Sequence, residues 1–442
     1  MTSFVDKVSA RFDDLLRLSK RLGILAPPHT FDTKPKKLSL SEVRSAWNGY
    51  ETVSKREKRT ALYLHVPFCS RRCSFCMYDS MVSNRKDVDR YVMRLVDEFQ
   101  FWHNELTAPL ESFYIGGGTP SILSTHNIET LFGKLDSLTF KENSSRTFEM
   151  SPSTISDEKL QLLSSTFINR ISIGVQSIDS GVLKAINRHN PPIASIKRYI
   201  GNARNLNFKD VNIDMMVGLN GQNVGNVVDG LRQVVDMSPL SITIYSFRDT
   251  RNTSIYSESE RHEKIRVQLQ ASFEFLESNG WQHASGTIDT EYNVFFSPQK
   301  SSCLIRHKTS IDGFNNMHLI GLGSGAIGFN PSIAYEADPA VSDFDILSPK
   351  YLTYVHSRLQ QLQLAVCNMM YSHSMQIDTV FFEDNFGVSF ESVFGQEIEE
   401  LSSIGRLVYA DHKYKFIYDS EYEAAAIQKF FWDKEFLQQN FN

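Results

Sequence analysis

Cysteine is scarce and odd in number. There are five in 442 residues, three of them crowded between positions 69 and 76, so the chain has no paired disulfide framework. No second Cys-x-x-Cys pair accompanies the crowd, and Cys303 and Cys367 stand far downstream, so a zinc knot would lack a fourth ligand nearby. No apolar run approaches the ~20 residues that span a bilayer, and the first residues lack the apolar core of a secretory signal. Asp6, Asp13 and Asp14 argue equally against an organelle transit peptide. A cytoplasmic location, where thiolates stay reduced, is the expectation. Excess charge is also missing: 46 basic against 51 acidic residues, a net charge of -5, leaves nothing global to attract nucleic acid or an anionic membrane.

The chain is long enough for two or more domains. From residue 61 short apolar runs alternate with helical segments, the pattern of repeated βα units around a parallel sheet. Strands are predicted at 61–67, 112–115, 146–150, 170–177, 210–217 and 240–247. Six units predict an open, partial barrel over residues 61–250, because residues 257–330 do not read as two further repeats. In such architectures ligands gather at the carboxyl ends of the strands. The cysteine run, then Gly116, Gly117 and Gly118, then Glu149, Gln176 and Asp214 are all expected there. Tyr63 and His65 alternate with Leu62, Leu64 and Val66, so they face away from one apolar side of the first strand.

The flanks read differently. Residues 1–60 hold an amphipathic helix, with Phe4, Val8, Phe12 and Leu15 on one stripe, expected to pack onto the main domain; a linker follows around Pro27 and Pro28. The basic cluster at 55–59 reads as a solvated surface or as a docking point for an acidic electron donor. Residues 251–348 hold a long helix at 257–279, ended by Gly280, and a glycine-rich closing run from Gly321 to Gly328. Residues 349–442 predict a smaller helical domain, with Leu352, Val355, Leu359 and Leu362 at helical intervals and a β-hairpin wing at 405–418. The acids of residues 378–418 favour a lid or partner-docking role for that wing over nucleic acid.

The intervals between Cys69, Cys73 and Cys76 put three thiolates on one tight loop, which suits a cuboidal iron–sulfur cluster better than tetrahedral zinc. Held by three cysteines, a cluster leaves one iron open to a substrate or cofactor.

Cys-x-x-x-Cys-x-x-Cys with Phe75 before its last cysteine resembles the radical S-adenosylmethionine superfamily. The preceding Tyr63, His65, Pro67 and Phe68 narrow the resemblance to the oxygen-independent coproporphyrinogen III oxidase, or HemN-like, family. The resemblance implies an α/β fold, a partial (β/α)6 barrel with a smaller C-terminal helical and winged domain. It implies a 4Fe–4S cluster on Cys69, Cys73 and Cys76, and one or two molecules of S-adenosylmethionine. An electron from the cluster would cleave the cofactor to a 5'-deoxyadenosyl radical. Carried over by position, Gly116, Gly117 and Gly118 would meet the cofactor's amino group, and Glu149, Gln176, Arg188 and Asp214 would contact it elsewhere. Tyr63 would lie beside the sulfonium and act in catalysis, and Gly323 and Gly325 would close the site. The implied partners are a small molecule, a tetrapyrrole or another heterocycle, and a reducing donor such as flavodoxin or ferredoxin.

Three positions depart from the family pattern. Ser151 follows Glu149 where Asn or Asp is usual, Tyr78 stands where oxidase members carry an extra cysteine, and residues 306–311 do not reproduce the His-Asn-x-x-Tyr-Trp segment of haem-handling relatives. Three activities remain in view: radical chemistry on a tetrapyrrole-like substrate, radical methyl transfer with two cofactor molecules, and haem trafficking without catalysis.

Overall fold

The computed structural model describes residues 3–22, 30–49, 53–76, 78, 80–82, 85–249, 253–283, 293–297, 316–337, 350–372 and 375–441. Pro27 and Pro28, Met77, Cys303, residues 306–311 and the boundary positions 250, 251, 348 and 349 lie outside the described residues.

Six strands follow one another in parallel, each paired with the next: β1 (Arg59–Val66), β2 (Leu110–Gly117), β3 (Phe140–Met150), β4 (Arg170–Gln176), β5 (Asp210–Val217) and β6 (Ser241–Ser246). Helices separate them: α1 (Arg85–Trp102), α2 (Thr125–Leu135), α3 (Asp157–Ser164), α4 (Ile193–Asn205) and α5 (Val224–Asp236), with α6 (Glu258–Ser278) after β6. Ser124, Asn223 and Ser257 each form a capping box at the start of α2, α5 and α6, which ends the preceding loop at a fixed residue. The architecture is the expected α/β partial barrel of six βα units.

The sheet extends further than six strands. β7 (Met317–Leu322) lies parallel to β1 on its other side, with Gly321 opposite Tyr63. Three antiparallel strands continue beyond it, Ile327–Asn330, Ile333–Ala337 and Tyr351–Val355, and Lys36–Leu38 pairs with the last of them; beyond β6 follow Asn293–Ser297 and Gln282–His283, so among the described residues the sheet has thirteen strands. β7 was hidden because its sequence runs straight into glycines and reads as a loop. Leu352 and Val355 are a correction: they belong to a strand, not a helix. The run from Tyr351 to Val355 is aromatic and β-branched, it buries Tyr351 and Thr353 alternately, and the helix starts only at Arg358.

A second hydrophobic core collects Phe382, Phe390, Phe430 and Trp432 around a three-stranded sheet made by Gln376–Asp378, Leu407–Ala410 and Lys413–Phe416. The N-terminal helix Phe4–Leu22 joins this core, not that of the barrel, through Val8, Phe12 and Leu15. Arg11 fixes the contact, ion-paired with Glu400 and lying 4.4 Å over the Phe430 ring. Among the described residues no helix is long and apolar enough to cross a membrane.

Candidate active site

Alternation divides the parallel strands into two faces. Leu62 and Leu64, Phe113 and Ile115, Ile171 and Ile173, Val211 and Ile213 join one core with the surrounding helices. The residues between them turn to the opposite face, and the register lines them up in rows. Tyr63 stands opposite Tyr114, Arg170 opposite Asp210; one step further on, His65 stands opposite Gly116 and Glu149 opposite Ser172.

The first row is closed upon itself. Arg170 Nε donates to Asp210 at 2.9 Å and Nη1 to Thr147 at 3.4 Å, all three residues being buried. Above it, Asn212 Nδ2 donates to Asp214 at 2.6 Å and the Ser172 hydroxyl reaches the same carboxylate at 3.1 Å. Burial raises the Asp214 carboxyl against the charge of Arg170 and these donors. Asp214 therefore lies within β5, not at its end, and its oxygens already have partners inside the protein.

Glu149 sits differently. The Tyr114 hydroxyl donates to Glu149 Oε1, and the Tyr114 ring stacks on Tyr63 with centroids 6.0 Å apart. Burial is the main cause pushing the Glu149 carboxyl up to about 7; the Tyr114 hydrogen bond pulls it down and the charge of Asp214 pushes it up. Burial, and then the charge of Glu149, also holds both tyrosine hydroxyls well above their ordinary range, so they remain donors.

The three glycines after β2 are each required by a different neighbour. A Cβ on Gly116 would stand 2.6 Å from the Tyr114 ring and 2.9 Å from Glu149 Oε2. On Gly117, whose φ is +110°, it would meet the His65 ring at 2.7 Å, and on Gly118 the Phe68 carbonyl oxygen at 2.7 Å. His65 Nδ1 in turn is 2.9 Å from the Tyr63 hydroxyl.

Gly323 and Gly325 are brought alongside His65 by α1. The Tyr91 hydroxyl donates to the His65 carbonyl at 2.8 Å and accepts from Ser324 N–H at 2.8 Å, while Glu98 accepts from Gly323 N–H at 2.7 Å. A Cβ on Gly325 would lie 3.8 Å from His65 Nε2.

The cysteine loop leaves the end of β1. Cys69 N–H donates to Met81 at 2.9 Å, and Ser74 N–H donates to Ile186 at 3.0 Å, past the end of β4. Arg188 ties the two segments together: Nη1 lies 3.5 Å from Cys73 Sγ and Nη2 donates to the Gly174 carbonyl. Burial pushes the Cys69 thiol up, opposed by hydrogen bonds with Thr119 and Ser80 and by the Arg188 charge. Cys73 and Cys76 are half-buried, and Tyr78 is exposed. Among the described residues no three His, Cys, Asp or Glu side chains converge on one metal ion. Thiolates that each bind a different iron of a cluster have no need to.

Two buried polar atoms, Gln176 Oε1 and Arg188 Nε, have no hydrogen-bond partner among the described residues. Gln176 holds a φ of +69° where the pairing of β4 shifts register. Three thiols on one loop, a guanidinium against one of them, a glycine wall without room for Cβ, and unpaired polar atoms close by fit an iron–sulfur cluster beside a charged, amino-acid-like ligand.

The structure thus groups Tyr63, Gly116, Gly117, Glu149 and Asp214 along the polar face, and Arg188 with Gln176 at the end of β4 nearest the cysteine loop. Tyr114, Ser172 and Asn212 belong to the same face but were missed. Their signal was alternation: Tyr114 precedes Gly116 by two positions, and Ser172 and Asn212 precede Gly174 and Asp214 by two.

Comparison with known proteins bears on this site. Residues 63–234 match the radical SAM superfamily model. Over 391 residues the chain is 26% identical to a haem chaperone, HemW, of Lactococcus lactis, covering 85% of this chain and 98% of that protein. It is 24% identical to an oxygen-independent coproporphyrinogen III oxidase of Pseudomonas aeruginosa, covering 80% and 81% of the two chains. The fold resembles the solved coproporphyrinogen III oxidase HemN of Escherichia coli with a TM-score of 0.69 and 18% identity, over 85% of this chain and 90% of that one.

Proposed function

We propose that the chain is a HemN-like member of the radical S-adenosylmethionine superfamily and an enzyme acting on a tetrapyrrole-like or other heterocyclic substrate, a reading supported by its similarity to such proteins. Cys69, Cys73 and Cys76 would hold a 4Fe–4S cluster, and the polar face beneath them one S-adenosylmethionine. Bound together, the two cofactors supply an electron and a 5'-deoxyadenosyl radical.

The chain's own residues prepare that site. Glu149, held in place by Tyr114, offers a carboxylate to an ammonium group, and Gly116 makes the room that this carboxylate and the Tyr114 ring need against the backbone. Gln176 Oε1 and Arg188 Nε offer an acceptor and a donor that the protein itself leaves unpaired among the described residues. Tyr63, hydrogen-bonded to His65 and stacked on Tyr114, walls the face next to β7. The observation that carries the reading is Arg188, which touches Cys73 Sγ with one nitrogen and the Gly174 carbonyl with another, so the cluster loop and the cofactor floor are built as one unit.

Similarity to a haem chaperone over nearly the whole of that relative favours a second reading, haem binding and transfer without turnover. Anaerobic reconstitution followed by product analysis separates the possibilities. 5'-Deoxyadenosine alone supports the first reading, S-adenosylhomocysteine beside it indicates methyl transfer with a second cofactor molecule, and stable haem binding without either product supports the chaperone reading.

A further inference from the structure

We propose that the face formed by the cysteine loop and the segment following β4 docks an acidic, low-potential one-electron carrier protein; this rests on the cluster assignment above. Residues 69–76 and 180–192 contain Arg71, Arg72, Lys184 and Arg188 and not one Asp or Glu. The fold joins these two stretches into a single surface. Ser74 N–H donates to the Ile186 carbonyl at 3.0 Å, Asn187 Nδ2 donates to the Arg72 carbonyl at 2.9 Å, and Arg71 Nη1 lies 3.5 Å from Asn187 Oδ1. Arg71, Arg72 and Lys184 are exposed. The acids nearest in sequence are Asp79, which lies outside the described residues, and Asp179, which caps the helix Ser180–Ala185 through Val182 N–H and accepts from Asn226.

Position makes this patch fit an electron donor. Two of the three ligand cysteines, Cys73 and Cys76, are half-buried in the same loop that carries Arg71 and Arg72, so a partner seated on the arginines comes next to the metal ligands. Electron transfer weakens steeply with distance, and positive charge around the entry point steers an acidic partner to it. One electron passes from donor to cluster, and no atom is transferred. The basic cluster at 55–59 lacks both properties. Lys58 pairs with Glu105, Arg59 with Glu111, and Arg56 lies over the Phe381 ring. It also stands at the opposite end of β1, whose eight residues span roughly 26 Å.

The test is the rate at which a flavodoxin in its fully reduced form reduces the reconstituted full-length protein, followed by the visible absorbance of the cluster as salt is raised. The wild-type rate should fall steeply with salt. R71E/R72E should be slower by about ten-fold or more at low salt and converge on the wild type at high salt. K184E, outside the ligand loop, should show a smaller loss of the same kind. Reduction by the neutral radical of 5-deazariboflavin should be unchanged in all of them. A salt-independent wild-type rate would overturn the proposal, as would a loss produced by K55E/K58E but not by R71E/R72E or K184E. A wild-type chain that takes up no iron would remove the cluster reading itself. A cluster that the small radical reduces, but that flavodoxin reduces equally fast in wild type and variants, would overturn the docking surface alone.

Discussion

The Tyr114 hydroxyl donates to the Glu149 carboxylate directly above the place where Gly116 leaves no room for a Cβ. This contact fixes the direction of the carboxylate and sets its charge. Burial drives Glu149 towards its neutral form, and the Tyr114 hydrogen bond is the largest influence holding it back.

Tyr114→Phe is therefore expected to raise the Glu149 carboxyl above its value of about 7. Only the ionised form pairs with an ammonium, so wild-type affinity for S-adenosylmethionine should rise as pH increases through about 7. In the variant the same rise should move to higher pH, and affinity at neutral pH should fall about ten-fold, the value of one charge-assisted hydrogen bond. Calorimetric titration of the reconstituted protein over a pH series checks this. An unchanged midpoint would show that Tyr114 does not govern Glu149.

Gly116→Ala should separate the two cofactors. The added methyl would stand 2.6 Å from the Tyr114 ring and 2.9 Å from Glu149 Oε2, which costs about 1–3 kcal/mol to relieve. S-Adenosylmethionine binding should weaken about ten-fold or more while iron content per chain stays at the wild-type level. Loss of iron in this variant would mean that the glycine supports the cluster loop instead.

Lys429 gives a prediction for stability. It is fully buried in the second core, 3.3 Å from the Ala425 carbonyl and 4.8 Å from the centre of the Trp432 ring, and burial lowers its ammonium to about 7. In the unfolded chain a lysine titrates near 10.4, so between about 7 and 10 the unfolded state holds more protons and stability rises with pH. The cost is complete below about 7. Lys429→Met should raise Tm by a few degrees at neutral pH, and the gain should shrink towards pH 10. A lower Tm at neutral pH would contradict this.

Iron content tests the ligand set. Cys69→Ala, Cys73→Ala and Cys76→Ala should each lose the cluster. Cys367→Ala should keep it, because Cys367 is buried in the second core beside Gln428, away from the loop. Iron lost from the Cys367 variant alone would reassign the ligands.

Much of this site could be read from sequence because strand periodicity is local. Tyr63 and His65 alternate with leucines, and five of the six short apolar runs carry or lead into a polar motif. What escaped was set by distant contacts. Nothing around Arg188 announces that its guanidinium reaches Cys73 Sγ, 115 positions away. Asp214 was expected at a strand end, but the register places it level with Gly174, inside β5. β7 was invisible because its pairing with β1 joins residues more than 250 apart and its glycines mimic a loop. The N-terminal helix showed that one face must be buried, but an apolar stripe does not name its partner, and that partner is the second core.

The most direct measurement is electron paramagnetic resonance of the reduced cluster with and without S-adenosylmethionine, at a concentration shown by titration to be saturating. If the cofactor binds between Arg188 and Glu149 at an iron that Cys69, Cys73 and Cys76 leave open, the spectrum should change on its addition and revert in Glu149→Ala at the same concentration. A spectrum identical with and without bound cofactor in the wild-type protein would contradict the account.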